Sequence, residues 1–425
     1  MTDTDTSTTP ELGVGLISLG WMGRLHSRAY NAVHTVYPEL GIRTRLVHAA
    51  DTADDRVRYA RDVLGYERAS TDYRDVLSDP DVDVVSICAP NALHREIGVA
   101  VARAGRPFWI EKPVGRTARE TAEVAVAARQ AGVVTSIGFN YRHAPAVEHI
   151  RDLVAEGALG RITNVRAVFF TGYASEPRGA LSWRFSRDLA GTGALGDLLS
   201  HVVDLVQYVV APITEVSALT QIVHAERPVA HMGSGTHFAV IDDPAAEMGT
   251  VENDDHVAAL ARFAPVGAGP GAVGTLEASR TIVGPQCGLV MELYGTEGAA
   301  TWNFERMNEL HVCVGRGGPH AGYTTVLANA ALGDYARFQP GPGLAMGYDD
   351  LKVIEAKKFL VAVTGGERRT CTIHDAHAVS EVISAATASA ETGAWQKIPE
   401  VPDTTYRSRS HDQPRQPVMT SEEQT

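Results

Sequence analysis

Gly13-Val14-Gly15-Leu16-Ile17-Ser18-Leu19-Gly20-Trp21-Met22-Gly23 is the stretch on which the architecture of the chain turns. Gly13–Leu19 is a short apolar run closed by Gly20, and polar, helix-compatible sequence follows. That outline predicts a buried parallel strand feeding a helix. A dinucleotide fold needs glycines at this junction, for the tight turn, for close approach to a pyrophosphate, and for helix–strand packing. Read as G-x-G-x-x-G, the stretch puts Ser18 at the first glycine position and keeps Gly20 and Gly23. Taken alone, it is equally compatible with a glycine-containing turn that binds nothing.

The sequence around it supports the nucleotide reading. Arg45–Ala50, Val82–Ala89, Pro107–Ile110 and Val133–Phe139 are further strand candidates. Helical patterns over Asp55–Leu64, Leu93–Ala104 and Ala118–Ala131 separate them. The alternation predicts an α/β, doubly wound Rossmann domain over residues 13–140, behind a disordered N-terminus at 1–12. Asp51 closes the second strand, where a carboxylate accepts bonds from the adenosine ribose and repels a 2′-phosphate, favouring NAD over NADP. It lies 28 residues past Gly23, so the intervening helix or loop must be extended, and Asp54 and Asp55 compete for the role.

Beyond residue 140 the pattern changes. Ala146–Glu156 reads as a helix, Thr163–Thr171 as a strand and Ala194–Val210 as a long helix. Then come strand candidates with no helices between them: Glu215–Ile222, His256–Phe263, Gly271–Ser279, Leu289–Tyr294, Gly298–Asn303 and Leu310–Val314. Strands without crossovers imply an antiparallel sheet. Tyr348–Thr364 and Ala376–Thr392 are closing helices. Residues 141–400 are thus expected to form an α+β substrate domain with an open, mostly antiparallel sheet, followed by a disordered tail at 403–425. Val223–Asn253 and Gly315–Pro342 read as long loops and candidate pocket walls. His224, His231, His237 and His256 are spaced too irregularly for a metal site, and none is expected.

Composition sets the outer bounds. With 38 basic and 51 acidic residues, a formal charge of −13 gives no general attraction for nucleic acid or anionic membranes. Cys88, Cys287, Cys313 and Cys371 form no C-x-x-C pair and read as thiols of a reducing compartment. The first residues lack a signal-peptide pattern and no apolar run is long enough to span a bilayer, so a cytoplasmic location is expected.

Four stretches, in this order and spacing, resemble the glucose-fructose oxidoreductase / inositol dehydrogenase (Gfo/Idh/MocA) family over about residues 12–395. They are Gly20-Trp21-Met22-Gly23 with His26, Ala89-Pro90-Asn91-Ala92-Leu93-His94, Glu111-Lys112-Pro113, and Gly193-Ala194-Leu195-Gly196-Asp197 with His201. Ser18, Ala89 and the long insertions depart from the pattern. Asn140-Tyr141-Arg142, Leu181-Ser182-Trp183-Arg184-Phe185 and Ala190-Gly191-Thr192-Gly193 are most similar to the sugar 3-dehydrogenase branch typified by levoglucosan dehydrogenase. The resemblance implies NAD-dependent oxidation of a ring hydroxyl, at C3 of a sugar, anhydrosugar or glycoside, by a homodimer or homotetramer.

Residue chemistry fits that expectation. Lys112 follows a strand at the carboxyl edge of the sheet, where an ammonium can stabilise growing negative charge on a substrate oxygen. Asp197 and His201 share one helix face, His201 as general base and Asp197 as a hydrogen-bond partner of the substrate. Ser18, Gly20, Trp21, Met22, Gly23, Asp51, Ala89, Pro90, Asn91, His94, Glu111 and Lys112 are the expected cofactor contacts, with helix capping as the alternative for Asn91. Arg142, Trp183, Arg184 and Tyr348 join Lys112, Asp197 and His201 as substrate-pocket candidates, packing or ion pairing being the alternative. The competing functions are an inositol dehydrogenase, a sugar ketoreductase, and a non-catalytic nucleotide-sensing regulator. A sensor needs no proton-transfer group, which argues against the last.

Overall fold

In the computed structural model, residues 11–229, 239–317, 321–367 and 369–401 are described. Six strands build a parallel sheet: β1 (Glu11–Ile17), β2 (Arg43–Ala50), β3 (Arg68–Ser70), β4 (Val84–Ile87), β5 (Phe108–Ile110) and β6 (Thr135–Ile137). Their order is β3-β2-β1-β4-β5-β6, so the winding reverses between β1 and β4. Ligands of open parallel sheets bind beyond the carboxyl ends of the strands at such a reversal. β1 begins at Glu11, so Glu11 and Leu12, expected in the disordered N-terminus, belong to a strand. β3 was not anticipated, because Arg68-Ala69-Ser70 carries no apolar pattern.

The β1 turn explains both the surviving glycines and the lost one. Ser18 adopts φ +75, a left-handed conformation that costs a side-chain-bearing residue about 1–2 kcal/mol. A Cβ on Gly23 would lie 2.1 Å from the Ser18 carbonyl oxygen, so the helix can sit this close only through a glycine. Gly20 caps the Trp21–Val36 helix, and a Cβ there would enter open space. The long gap to Asp51 is filled by that 16-residue helix and a short turn at Pro38–Leu40.

The second sheet has nine strands. β7 (Ile162–Phe170), β8 (Ile213–Gln221), β11 (His256–Phe263), β12 (Val273–Ser279), β13 (Gly288–Gly295), β14 (Gly298–Asn303) and β15 (Glu309–Val314) match the expected segments. A small hairpin, β9 (Glu226–Pro228) with β10 (Met248–Thr250), lies in the first expected loop, and β16 (Thr324–Leu327) in the second. β17 (Gln396–Lys397) closes the order β16-β15-β14-β13-β7-β12-β11-β8-β17. Pairing is antiparallel except between β7 and β12, which flank the helical crossover. Cross-strand register puts Leu219, Leu260, Val273, Tyr294 and Leu327 on one open face, all exposed. Helices cover the opposite face. Among them is the stretch Arg187–Val209, interrupted at Gly191, long and apolar enough to cross a bilayer but mostly buried here as a core element.

Packing crosses the boundary expected at residue 140. The Tyr348–Val363 helix doubles back onto the first sheet, where Val353, Ala356, Phe359 and Leu360 share one core with Val14, Leu16, Tyr30, Val33 and Trp109. A second core runs without a break from Val85, Ile87 and Val124 into the Ser200–Val209 and Ile373–Thr392 helices and the large sheet. Residues 141–400 are therefore not one self-contained body.

The turn geometry yields a stability test. Gly23→Ala forces a methyl against backbone and should cost about 1–3 kcal/mol, as overpacking does, while Gly20→Ala should cost under about 1 kcal/mol. Urea denaturation of both variants checks this; equal losses would contradict the packing described.

Candidate active site

The first turn of the Trp21–Val36 helix has no side-chain cap and no acidic residue. Its N–H groups are thus available to an anion, and the open space over Gly20 is where a pyrophosphate backbone would approach. Asp51 is buried at the end of β2. Its carboxylate accepts from the Leu19 amide at 2.7 Å and the Ala53 amide at 3.1 Å, tying the turn to β2, with Arg56 at 3.4 Å. Ala89 and Pro90 end the β4 segment, and Pro90 caps the next helix without a side-chain bond. Asn91 is its first residue and donates instead to the Ala190 carbonyl at 3.2 Å, across the domain boundary. Trp21, 65% exposed, stacks on Tyr348 at 5.6 Å, so the cofactor side and the late helix meet at the mouth of the cleft. Met22 lies half-buried beside it.

Lys112 sits just past β5 and reaches the second domain. Its Nζ donates to the Asp197 carbonyl at 2.8 Å and to Asp197 Oδ1 at 2.9 Å. Both acceptors come from one residue because Leu195–Leu199 is a π-turn, not the expected regular α-helix. The wider turn breaks the four-residue hydrogen-bond ladder and leaves a carbonyl for an outside donor. The Tyr173 hydroxyl donates to Asp197 Oδ2 at 2.8 Å. Burial pushes the Asp197 carboxyl up, but the charges of Lys112 and Arg184 and the bonds from Lys112 and Tyr173 hold it well below the usual range. His201 follows on the same helix. Burial, then the charge of Lys112, depresses its imidazole well below the ordinary value against the pull of Asp197 and Glu111, so it is neutral near pH 7. Its ring makes no hydrogen bond among the described residues.

Beneath Lys112 lies a buried ionic layer. Glu111 Oε1 accepts from His26 Nε2 at 3.0 Å and from Lys352 Nζ at 2.6 Å, and Lys352 also pairs with Glu355 at 2.9 Å. His26 stacks on Trp109 with ring centroids 3.4 Å apart. Burial raises the Glu355 carboxyl to about 7 despite Lys352. Glu111, expected at the cofactor, is buried and bonded to His26 and Lys352. His94, also expected there, is 1% exposed and donates from Nδ1 to the Pro113 carbonyl at 2.7 Å, holding the turn that carries Lys112, whose bond to Pro113 is cis.

Other expected residues divide. Arg184 stacks on Trp183 at 4.4 Å and lies within electrostatic reach of Asp197, and Tyr348 edges Tyr141 at 6.1 Å, so these three border the Lys112–Asp197–His201 group. Arg142 does not. It is buried, ion-paired with Asp204, 3.9 Å from Asp375 and 4.7 Å above Tyr208, so its role is packing and charge pairing. His224 bonds the Ser175 carbonyl at 3.1 Å and His256 faces Glu277 at 3.7 Å; His231 and His237, like the tail at 403–425, lie outside the described residues. No group of three metal-ligating side chains occurs among the described residues. Tyr173 and Lys352 were missed. Nothing local marks Tyr173, whereas a lysine inside the apolar helix Tyr348–Val363, three residues before Glu355, carried a readable hint.

Comparison with known proteins agrees with this geometry. Residues 12–139 match the oxidoreductase family with an NAD-binding Rossmann fold, and residues 147–301 match the GFO/IDH/MocA C-terminal domain. Levoglucosan dehydrogenase of Pseudarthrobacter phenanthrenivorans is 34% identical over 392 residues, 92% of this chain and 99% of that protein. The structure of a levoglucosan dehydrogenase in complex with NADH and levoglucosan superposes with a TM-score of 0.84 at 33% identity, over 92% of this chain and 100% of the other. An oxidoreductase domain protein from Kribbella flavida does so with the same TM-score, identity and coverage. Matched over both domains and along almost its whole length, the chain belongs to the GFO/IDH/MocA family of NAD-binding oxidoreductases.

Proposed function

We propose that the protein oxidises a ring hydroxyl, the one at C3, of a sugar, anhydrosugar or glycoside to the keto sugar, using NAD. The observation that carries this reading is the ammonium of Lys112, just past the carboxyl end of β5, fixed on Asp197 beside a neutral His201. His201 takes the hydroxyl proton near neutral pH. Lys112 donates to the same oxygen and stabilises its negative charge as the proton leaves. Asp197, whose two carboxylate oxygens already accept from Lys112 and Tyr173, holds that ammonium in place and accepts from a neighbouring hydroxyl with its remaining lone pairs. NAD, when bound, accepts the hydride from the carbinol carbon.

The lining supports a polyhydroxylated ring. Lys112, Asp197, His201, Arg184 and Tyr348 present donors and acceptors, and Trp183 adds an aromatic face. Each missing substrate hydroxyl would leave a polar group unpaired at about 1–3 kcal/mol. A relative named for levoglucosan, and its complex with NADH and that anhydrosugar, support the same class. Formation of NADH should therefore be seen at 340 nm with sugars, anhydrosugars or glycosides, with NAD well ahead of NADP because the Asp51 carboxylate closes β2, where an adenosine ribose would lie. NMR of the product should show a C3 ketone. A lactone, or activity confined to acyclic alcohols, defeats the substrate reading. NADP equal to NAD defeats the Asp51 reading and turns attention to Arg56.

His201→Ala and Lys112→Ala should each lower turnover by about 10²–10⁴-fold while NADH binding, followed by fluorescence titration, stays nearly intact. Near wild-type turnover in either variant would overturn that residue's role. The open sheet face with Leu219, Leu260, Val273, Tyr294 and Leu327 supports a homodimer or homotetramer. Light scattering should then give a multiple of the 45.5 kDa chain mass, and Leu260→Glu should reduce it.

A further inference from the structure

His201 is enclosed by three aromatic rings drawn from separate places in the chain. Tyr141 stands edge-on at 4.8 Å and 76°, Phe139 at 5.5 Å and 85°, and Phe169 at 5.9 Å and 63°. Phe139 and Tyr141 follow β6 in the first domain's last segment, Phe169 comes from β7, and His201 from the Ser200–Val209 helix. Tyr141 is the hub. It also edges Phe169 at 5.7 Å, Phe304 at 4.8 Å and Tyr348 at 6.1 Å, so its ring is fixed from several sides. Its hydroxyl meets only the Cys287 thiol, at 3.8 Å, among the described residues.

We propose that Tyr141 is a positioning residue: with Phe139 and Phe169 it forms an aromatic collar that keeps water off the His201 imidazole and holds the ring in one orientation as a neutral base. The proposal rests on the reading of His201 as the proton acceptor. Charged groups reach the imidazole from every side of the collar. Lys112 after β5 and Lys352 from the Tyr348–Val363 helix disfavour its protonation, while Asp197 on its own helix and Glu111 beside Lys112 favour it. Charges of both signs thus act on the ring, and its burial is the largest single influence on its protonation. An aromatic face can favour an imidazolium, but a buried base loses more by giving up its hydration than such a contact returns.

The test reads the imidazole directly. In protein labelled with 13Cε1-histidine, the His201 resonance is assigned by its absence in His201→Gln and followed against pH in wild type, Tyr141→Phe and Tyr141→Leu. Wild type and Tyr141→Phe should keep the ring neutral down to low pH. In Tyr141→Leu the midpoint should rise by at least one pH unit, a tenfold gain in proton affinity, and the acid limb of kcat/KM should move with it. Phe169→Leu, which opens the collar from the neighbouring strand, should shift the midpoint in the same direction, and serves where Tyr141→Leu does not fold. An unmoved midpoint in the leucine variants overturns the collar, as does an equal shift in Tyr141→Phe, which would assign the effect to the hydroxyl. A purely structural role would lower the melting temperature and kcat with the midpoint unchanged. If His201→Gln keeps wild-type turnover while Tyr141→Leu still shifts the midpoint, the base assignment fails and the collar stands.

Discussion

The contact between the Lys112 ammonium and Asp197 is the constraint around which the rest of the molecule is arranged. It joins the end of a parallel strand in one domain to a helix in the other at hydrogen-bond distance. A long, flexible lysine does not stay in one geometry by itself, because ordering it costs side-chain entropy. Here two acceptors on one residue share that cost. The π-turn at Leu195–Leu199 supplies the carbonyl, the Asp197 side chain supplies the carboxylate, and Tyr173 fixes the carboxylate from its other oxygen. At the other end, His94 holds the carbonyl of Pro113, so the turn carrying Lys112 is restrained on both sides.

The layer below shows why the late helix returns to the first domain. Glu111 must be buried if Lys112 is to emerge at the sheet edge, and a buried carboxylate without a partner is strongly unfavourable. His26 comes from the first helix, but the countercharge comes from Lys352, which lies 241 residues further along the chain. Breaking such a pair on one side typically costs about 3–5 kcal/mol. The Tyr348–Val363 helix therefore does more than cover apolar surface: it supplies the cation that lets Glu111 be buried beneath Lys112. The shared core of Val353, Ala356, Phe359 and Leu360 with Val14 and Leu16 makes the two domains one folding problem.

Much of this was legible in the sequence, for identifiable reasons. Parallel strands buried on both faces read as short apolar runs, so the four segments expected after the opening glycines fell on β2, β4, β5 and β6 with shifted ends. The β3 edge strand escaped because its pairing is backbone-driven and its side chains are half-exposed. Lys112, Asp197 and His201 could be proposed because motif and resemblance mark the chain locally. The partners of Arg142 and Glu111 could not be read for the opposite reason. A charged residue next to a motif looks ligand-facing until its partner is known, and Asp204 and Lys352 are too far along the chain for any local pattern to reveal. The π-turn was unreadable as well: Leu-Gly-Asp-Leu-Leu is compatible with an α-helix, and nothing in its composition marks the wider turn.

In the proposed reaction, the same surroundings divide the work between two groups that could each exchange a proton. Losing a proton from Lys112 would remove the countercharge of a carboxylate that already has its surroundings built around it, since Asp197 is held ionised by that ammonium. His201 faces no such penalty. Its neutral form is the one burial favours, and its ring nitrogens have no bond among the described residues that a substrate hydroxyl would have to displace. Accepting a proton there does create a buried cation, which becomes tolerable only with a partner nearby. Asp197, on the preceding turn of the same helix, is the negative charge that pulls His201 toward protonation most strongly, and so the carboxylate that anchors Lys112 also eases the transient charge on His201. One aspartate thereby serves both groups, from a π-turn that carries it toward the lysine and a regular turn that carries His201 next.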